Sequence, residues 1–293
     1  MTGPSQVADA FGAADRMVVV SPHFDDAVLT VGALIAARVE FGQPVEVLTV
    51  FSAARDDARH SGRREAFADY VVRRAEDDRA LQVLGARSQR LGLFERLFRE
   101  PPPLGSFGAF HPPADIASCP EVAVVRQAIE EALDSDAIVL APLGIGNQID
   151  HVLVAVAALG AAPSRRLLFY EDFAALSERC RRRHPVARLR RFDFRDAPGW
   201  AGVGLGCRMA ALSLLIGGPN PATALGLRIH PDQWTVGAVA VTPNHEATQF
   251  RALAEYRTHL GALGGERRLH ALIHRAHTRR GGDLLWQFHP PKH

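Results

Sequence analysis

The sequence predicts an α/β domain built on a mostly parallel sheet. Two observations carry that expectation. Short aliphatic, β-branched runs alternate with longer segments whose apolar residues recur at helical spacing. Several of the short runs also stop at clusters of Ser, Pro, Gly, Asp and His, the composition of strand-to-helix loops.

Residues 17–20 form a first strand that stops at Ser21-Pro22. Residues 27–41 carry Val28, Val31, Leu34, Ile35 and Val39 at helical spacing, and Gly42 closes the segment. A second strand is expected at 45–51, then helices at 73–84 and 122–133. Residues 137–140 read as the third strand, broken by Ala141-Pro142-Leu143-Gly144; a helix at 151–159 and a fourth strand at 166–170 follow. Residues 172–232 lose this rhythm and are rich in Arg, Gly and Pro, so they read as an insertion or cap. A late strand at 233–241 and a helix at 246–263 complete the pattern. Residues 1–15 are expected to be a flexible leader and 16–293 a single domain.

Composition narrows the chemistry. The 293 residues are 47% hydrophobic and 23% charged, with a net charge of +2, too mild a basic balance to imply nucleic acid. Cys119, Cys180 and Cys207 are odd in number and widely spaced, which disfavours a disulfide framework or a cysteine metal site. Of the 34 basic residues only Lys292 is a lysine. Schiff-base and P-loop chemistry need a positioned internal lysine, so both are excluded. The most apolar stretch, 209–216, is far short of the roughly 20 residues that cross a bilayer. With no secretory signal in 1–15, the expectation is a soluble, cytoplasmic protein with no membrane partner.

Ligands of a parallel sheet bind beyond the carboxyl ends of its strands. The first strand ends in Ser21-Pro22-His23-Phe24-Asp25-Asp26, and the third in Gly144-Ile145-Gly146-Asn147-Gln148-Ile149-Asp150-His151. Each cluster alone has a plain structural reading, because Asp before a helix is a common cap. Together, at matching strand ends, they point to a site. His23, Asp26 and His151 offer two nitrogens and one oxygen, a set suited to a catalytic zinc with an open position, although iron or manganese takes the same ligands. Asp25, facing away from Asp26, is left to act as general base toward water.

Residues 21–32 (SPHFDDAVLTVG) and 144–151 (GIGNQIDH) resemble the two signature motifs of the PIG-L/LmbE-like family of zinc-dependent N-deacetylases. Residues 74–81 (RAEDDRAL) resemble its charged helix, Tyr170-Glu171-Asp172 the motif after its fourth strand, and Tyr256-Arg257-Thr258 a late Y-x-S-Q element. The resemblance implies a Rossmann-like, LmbE-like three-layer sandwich. It also implies His23, Asp26 and His151 as ligands of one zinc ion, with Asp25 as base. The implied function is hydrolysis of an N-acetylated small metabolite, such as an amino sugar, glycoside or peptidic intermediate, in secondary metabolism. Arg74, Asp150, Glu171 and Asp172 are expected to line the substrate cleft.

The chain departs from the family at three positions. Ala27 stands where Glu is frequent, Gln148 replaces a histidine three residues before His151, and His259 replaces the late Gln. Gln148 can donate to an oxyanion but cannot deliver a proton. The paired substitution suggests that His259 takes over the acid role. Two alternatives stay open: a metal-dependent hydrolase of another bond, or a catalytically inactive α/β binding protein. Oligomeric state is open as well, with room for a homo-oligomer.

Other features are expected to be bystanders. Seven arginines within 179–191 read as a solvated surface, and His270, His274 and His277 as surface histidines on one helix face. Gly202-Val203-Gly204-Leu205-Gly206 lacks the preceding strand that a nucleotide loop needs. Specificity is expected in loops 52–70, 93–118 and 172–232.

Overall fold

The computed structural model describes residues 7, 11–12, 14–53, 69–99, 109–161, 164–192, 230–261 and 263–290. Its centre is a seven-stranded sheet of β1 (Met17–Ser21), β2 (Val45–Ala53), β3 (Arg87–Phe94), β4 (Ile138–Pro142), β5 (Leu167–Tyr170), β6 (Trp234–Val239) and β7 (Asp283–Phe288). The strand order is β3-β2-β1-β4-β5-β7-β6. The first five strands pair in parallel, whereas β7 runs antiparallel to both β5 and β6.

The eight helices among the described residues are α1 (Asp26–Glu40), α2 (Tyr70–Leu84), α3 (Pro120–Asp134), α4 (Ile149–Ala161), α5 (Glu178–Arg183), α6 (Pro243–Leu253), α7 (Arg257–Leu260) and α8 (Glu266–Arg280). Alternating residues of each strand point to opposite faces of the sheet, and this alternation divides the core in two. Val18, Val20, Val139, Ala141, Leu167 and Phe169 pack with α3 and α4. Met17, Val19, Ile138, Leu140, Leu168 and Tyr170 pack with α1, α2, α6 and α8. The result is a three-layer α/β sandwich. Each fully buried aliphatic side chain contributes about 1.5–3 kcal/mol relative to an exposed one.

The sheet order places the site. From β1 the chain winds outward through β2 to β3, then returns to β4 on the other side of β1. The loops after β1 and β4 therefore diverge and leave a crevice at their carboxyl ends. Both polar clusters expected from the sequence lie in these loops. The second loop turns sharply because Gly144, Gly146 and Asn147 adopt positive φ (80°, 100° and 59°), a conformation open to Gly and tolerated by Asn.

The sequence reading missed two strands. β3 is an edge strand that pairs only with β2 and is mostly exposed or half-buried, so it carries no apolar run. The strands expected as third and fourth are therefore β4 and β5. β7 has only Leu284, Leu285 and Trp286 between polar residues, and it joins the sheet, antiparallel to β5, after α8 carries the chain back. The helix expected at 246–263 is two helices, α6 and α7, interrupted at 254–256. Of the expected leader, Val7 and Phe11 are buried in the second core face, and the Arg38 guanidinium donates to the carbonyls of Phe11 and Ala14.

Helix α1 is kinked at Val31, whose φ and ψ are −126° and 22°. Gln249 of α6, fully buried, fills the break and donates from Nε2 to the carbonyl oxygens of Val28 (2.8 Å) and Leu29 (3.3 Å). Gly32 makes room for it: a Cβ there would meet Gln249 Cγ at 2.7 Å.

Candidate active site

His23, Asp26 and His151 converge in the crevice between β1 and β4, all buried, with ligand atoms within 4.8 Å of one another. Asp26 Oδ2 lies 3.0 Å from His23 Nδ1 and 3.2 Å from His151 Nε2. It also accepts the His23 backbone N–H at 2.9 Å, which closes the loop between strand and helix. Ser21 reinforces this turn by donating to the His23 carbonyl and accepting from the Ala27 N–H.

The remote nitrogen of each imidazole is held by a carboxylate. His23 Nε2 lies 3.2 Å from Asp150 Oδ2, and His151 Nδ1 lies 2.7 Å from Asp172 Oδ1. Both carboxylates are themselves fixed. Asp150 accepts from the Arg96 N–H at 2.9 Å and pairs with Arg99, and Asp172 accepts from the Ile145 N–H at 2.8 Å. Such outer carboxylates set the tautomer and orientation of metal-binding imidazoles.

The electrostatics fit a cation. Burial alone lowers a histidine pKa, yet the charge of Asp26 and the hydrogen bond to Asp172 raise that of His151 to about 10. His23 is also raised, against burial, by Glu95, Asp150 and Asp26. Burial opposes ionisation of Asp26, but the neighbouring His151 holds its carboxyl well below the usual range. Two buried imidazoles that would otherwise retain protons, facing one carboxylate oxygen, are a donor set that a divalent cation suits.

The two aspartates that could have been plain helix caps are not. Asp25 is the N-cap residue of α1, but its side chain makes no capping bond. Instead Asp25 Oδ2 lies 3.0 Å from Nδ1 of His259, the third residue of α7. Burial pushes the Asp25 carboxyl up, but His259 outweighs it and holds the group below its usual value. Asp150 likewise bonds to the segment after β3 rather than to its own helix. Gln148, half-buried, is the residue before α4, and its carbonyl accepts the Val152 N–H.

The residues expected in the substrate cleft separate. Asp150 and Asp172 stand behind the imidazoles. Arg74 is exposed and donates to the Ser52 carbonyl at 3.4 Å, whereas its neighbour Arg73 is buried against Glu95 at 2.7 Å. Glu171 is held away from the site. Its oxygens take Arg181 (2.8 Å), Arg280 (3.4 Å) and Trp286 Nε1 (3.0 Å). Within the arginine run Arg182, Arg183, Arg188 and Arg191 are exposed as expected, and Arg181 is the exception, fully buried. On α8, His270 stacks on Phe250 at 4.0 Å, while His274 and His277 each lie 2.7 Å from Glu246. Of that helix face only His274 is a surface histidine, since His277 is largely buried. Arg96 and Arg99 were missed because they follow the unrecognised strand β3. Residues 202–206, Cys207 and most of the three expected specificity loops lie outside the described residues.

Residues 18–162, which contain both signature loops, match the GlcNAc-PI de-N-acetylase (PIG-L) family. Over these residues the chain is similar to that family. A curated relative, 2'-N-acetylparomamine deacetylase of Streptomyces fradiae, is 33% identical over 177 residues, which covers 56% of this chain and 59% of the relative. Among solved structures, a deacetylase of teicoplanin biosynthesis superposes with a TM-score of 0.63 at 21% identity, covering 92% of this chain and 96% of that one. The A40926 pseudoaglycone deacetylase gives 0.60 at 22% identity, covering 95% and 100%. At such identities these two likenesses establish the fold of this chain alone. No helix among the described residues is long and apolar enough to cross a membrane.

Proposed function

We propose that this protein is a zinc-dependent N-deacetylase of the PIG-L/LmbE-like kind, acting on an N-acetylated amino sugar, glycoside or peptidic intermediate of antibiotic biosynthesis. The convergence of His23, Asp26 and His151 beside the uncapped Asp25 carries the reading. The matched relative, named for removing acetyl from an aminoglycoside nitrogen, supports the substrate class.

A zinc ion held by His23, Asp26 and His151 would polarise the acetyl carbonyl and the attacking water. Asp150 and Asp172 keep Nδ1 of His23 and Nε2 of His151 facing inward. Asp25, ionised, takes a proton from the attacking water. His259 holds the Asp25 carboxylate through Nδ1, and the pair retains the proton until the leaving amine takes it. Gln148, in the loop before α4, would donate to the developing oxyanion.

Metal analysis of protein purified without chelator tests the site. About one zinc per chain, lost in His151→Ala, supports the proposal; a protein that takes up no zinc on incubation overturns it.

A further inference from the structure

Two consecutive acidic residues of α2, Glu76 and Asp77, are buried (3% and 0% exposed) yet neither belongs to the metal-binding trio. A buried carboxylate is costly unless paired, so its partners reveal its use. Glu76 accepts twice from one residue: Oε2 from the Thr258 hydroxyl at 2.6 Å and Oε1 from the Thr258 N–H at 3.1 Å. The Tyr256 hydroxyl reaches both Asp77 Oδ1 and the Phe24 carbonyl at 2.9 Å. Adjacent residues of α2 thus grip the 256–258 segment, and Tyr256 in turn grips the backbone next to Asp25.

The grip matters because α7 has only four residues. Helices this short do not hold themselves in water, so outside contacts decide where this one sits. Thr258 lies in its first turn, and the next residue is His259, 3.0 Å from Asp25. A carboxylate only accepts hydrogen bonds, so Nδ1 of His259 carries the proton in this contact.

Resting on the reading of Asp25 as base, we propose that Glu76, acting through Thr258, is the positioning residue that sets His259 against Asp25. The charged residues of α2 thereby form a platform for the base rather than a surface for substrate. A misplacement of about 1 Å away from the reacting atoms can cost about a hundredfold in rate, which is the scale at which such a platform acts.

The test uses the full chain loaded with zinc, labelled with ¹⁵N-histidine, as wild type, Thr258→Val, Thr258→Ser and Glu76→Ala. His259→Gln assigns the imidazole signal. We expect a His259 N–H protected from exchange in the wild type and in Thr258→Ser, and lost in Thr258→Val and Glu76→Ala. With it, kcat on an N-acetylated amino sugar falls about ten- to a hundredfold in the latter two, at unchanged KM and zinc content. A Thr258→Val protein that keeps both signal and kcat overturns the proposal, as does a Thr258→Ser protein that behaves like the valine variant. The imidazole signal is read without substrate. A wild type that releases no acetate therefore removes the deacetylase reading, while the signal still decides whether Glu76 positions His259.

Discussion

Asp172 Oδ1 lies 2.7 Å from His151 Nδ1, and the other oxygen of Asp172 is tied to the Ile145 N–H. The carboxylate that follows β5 thus fixes the tautomer of an imidazole carried by α4. Asp172→Asn keeps the size but can present an amide N–H to a nitrogen that must itself donate. Zinc affinity, read by competition with a chelator, is expected to fall about 10–100-fold. An unchanged affinity would mean that His151 needs no partner.

Glu171, one residue earlier, serves the fold. Arg181 is fully buried and takes both oxygens of Glu171. Glu171→Ala removes the two-point partner of that guanidinium and leaves it Glu178 at 3.6 Å and the Arg190 carbonyl, a loss of buried hydrogen bonds that costs about 1–3 kcal/mol. Denaturant unfolding is expected to show a loss of that order with zinc affinity preserved. A raised KM with full stability would instead return Glu171 to the substrate cleft.

The α1 kink gives a second stability prediction. Gln249→Met leaves the Val28 and Leu29 carbonyls without their side-chain donor, at a cost of about 1–3 kcal/mol. Gly32→Ala forces a methyl against Gln249 Cγ and is expected to cost about 1–3 kcal/mol through overpacking. If both variants unfold at the wild-type midpoint, Gln249 does not support the kink.

His184 makes stability depend on pH. It is buried, with Nε2 donating to the Leu143 carbonyl (3.1 Å) and Nδ1 accepting from the Ala187 N–H (3.3 Å). Burial pushes its pKa down from 6.5 to about 4. The unfolded chain therefore binds a proton between pH 6.5 and 4 that the folded chain refuses. The contribution is fully present above 6.5 and is lost as pH falls toward 4. His184→Gln is expected to narrow the difference in unfolding free energy between pH 7 and pH 4.5. Parallel pH profiles for variant and wild type would contradict this.

The parts legible in the sequence were those with local signals. β1, β2, β4 and β5 are buried aliphatic runs, and the loops after β1 and β4 held their histidines and aspartates at recognisable spacing. β3 was hidden because an edge strand alternates with solvent and needs no apolar run. The contact of Asp25 with His259 spans 234 residues and is made by tertiary packing of α7. The split between Glu171 and Asp172 was equally illegible, because neighbouring residues leave a strand in opposite directions and only the folded chain shows what each meets. Asp172 turns to His151, Glu171 to Arg181.

In the proposed reaction Asp25 and the His23–Asp26–His151 trio hydrolyse an N-acetyl amide. Its most direct measurement is acetate release from N-acetylated aminoglycosides by zinc-loaded wild type and Asp25→Asn at equal zinc content. We expect release by the wild type and a loss of about 100-fold or more in the variant, the scale of a positioned general base. No acetate from zinc-loaded wild type, or equal rates for the two proteins, would contradict it.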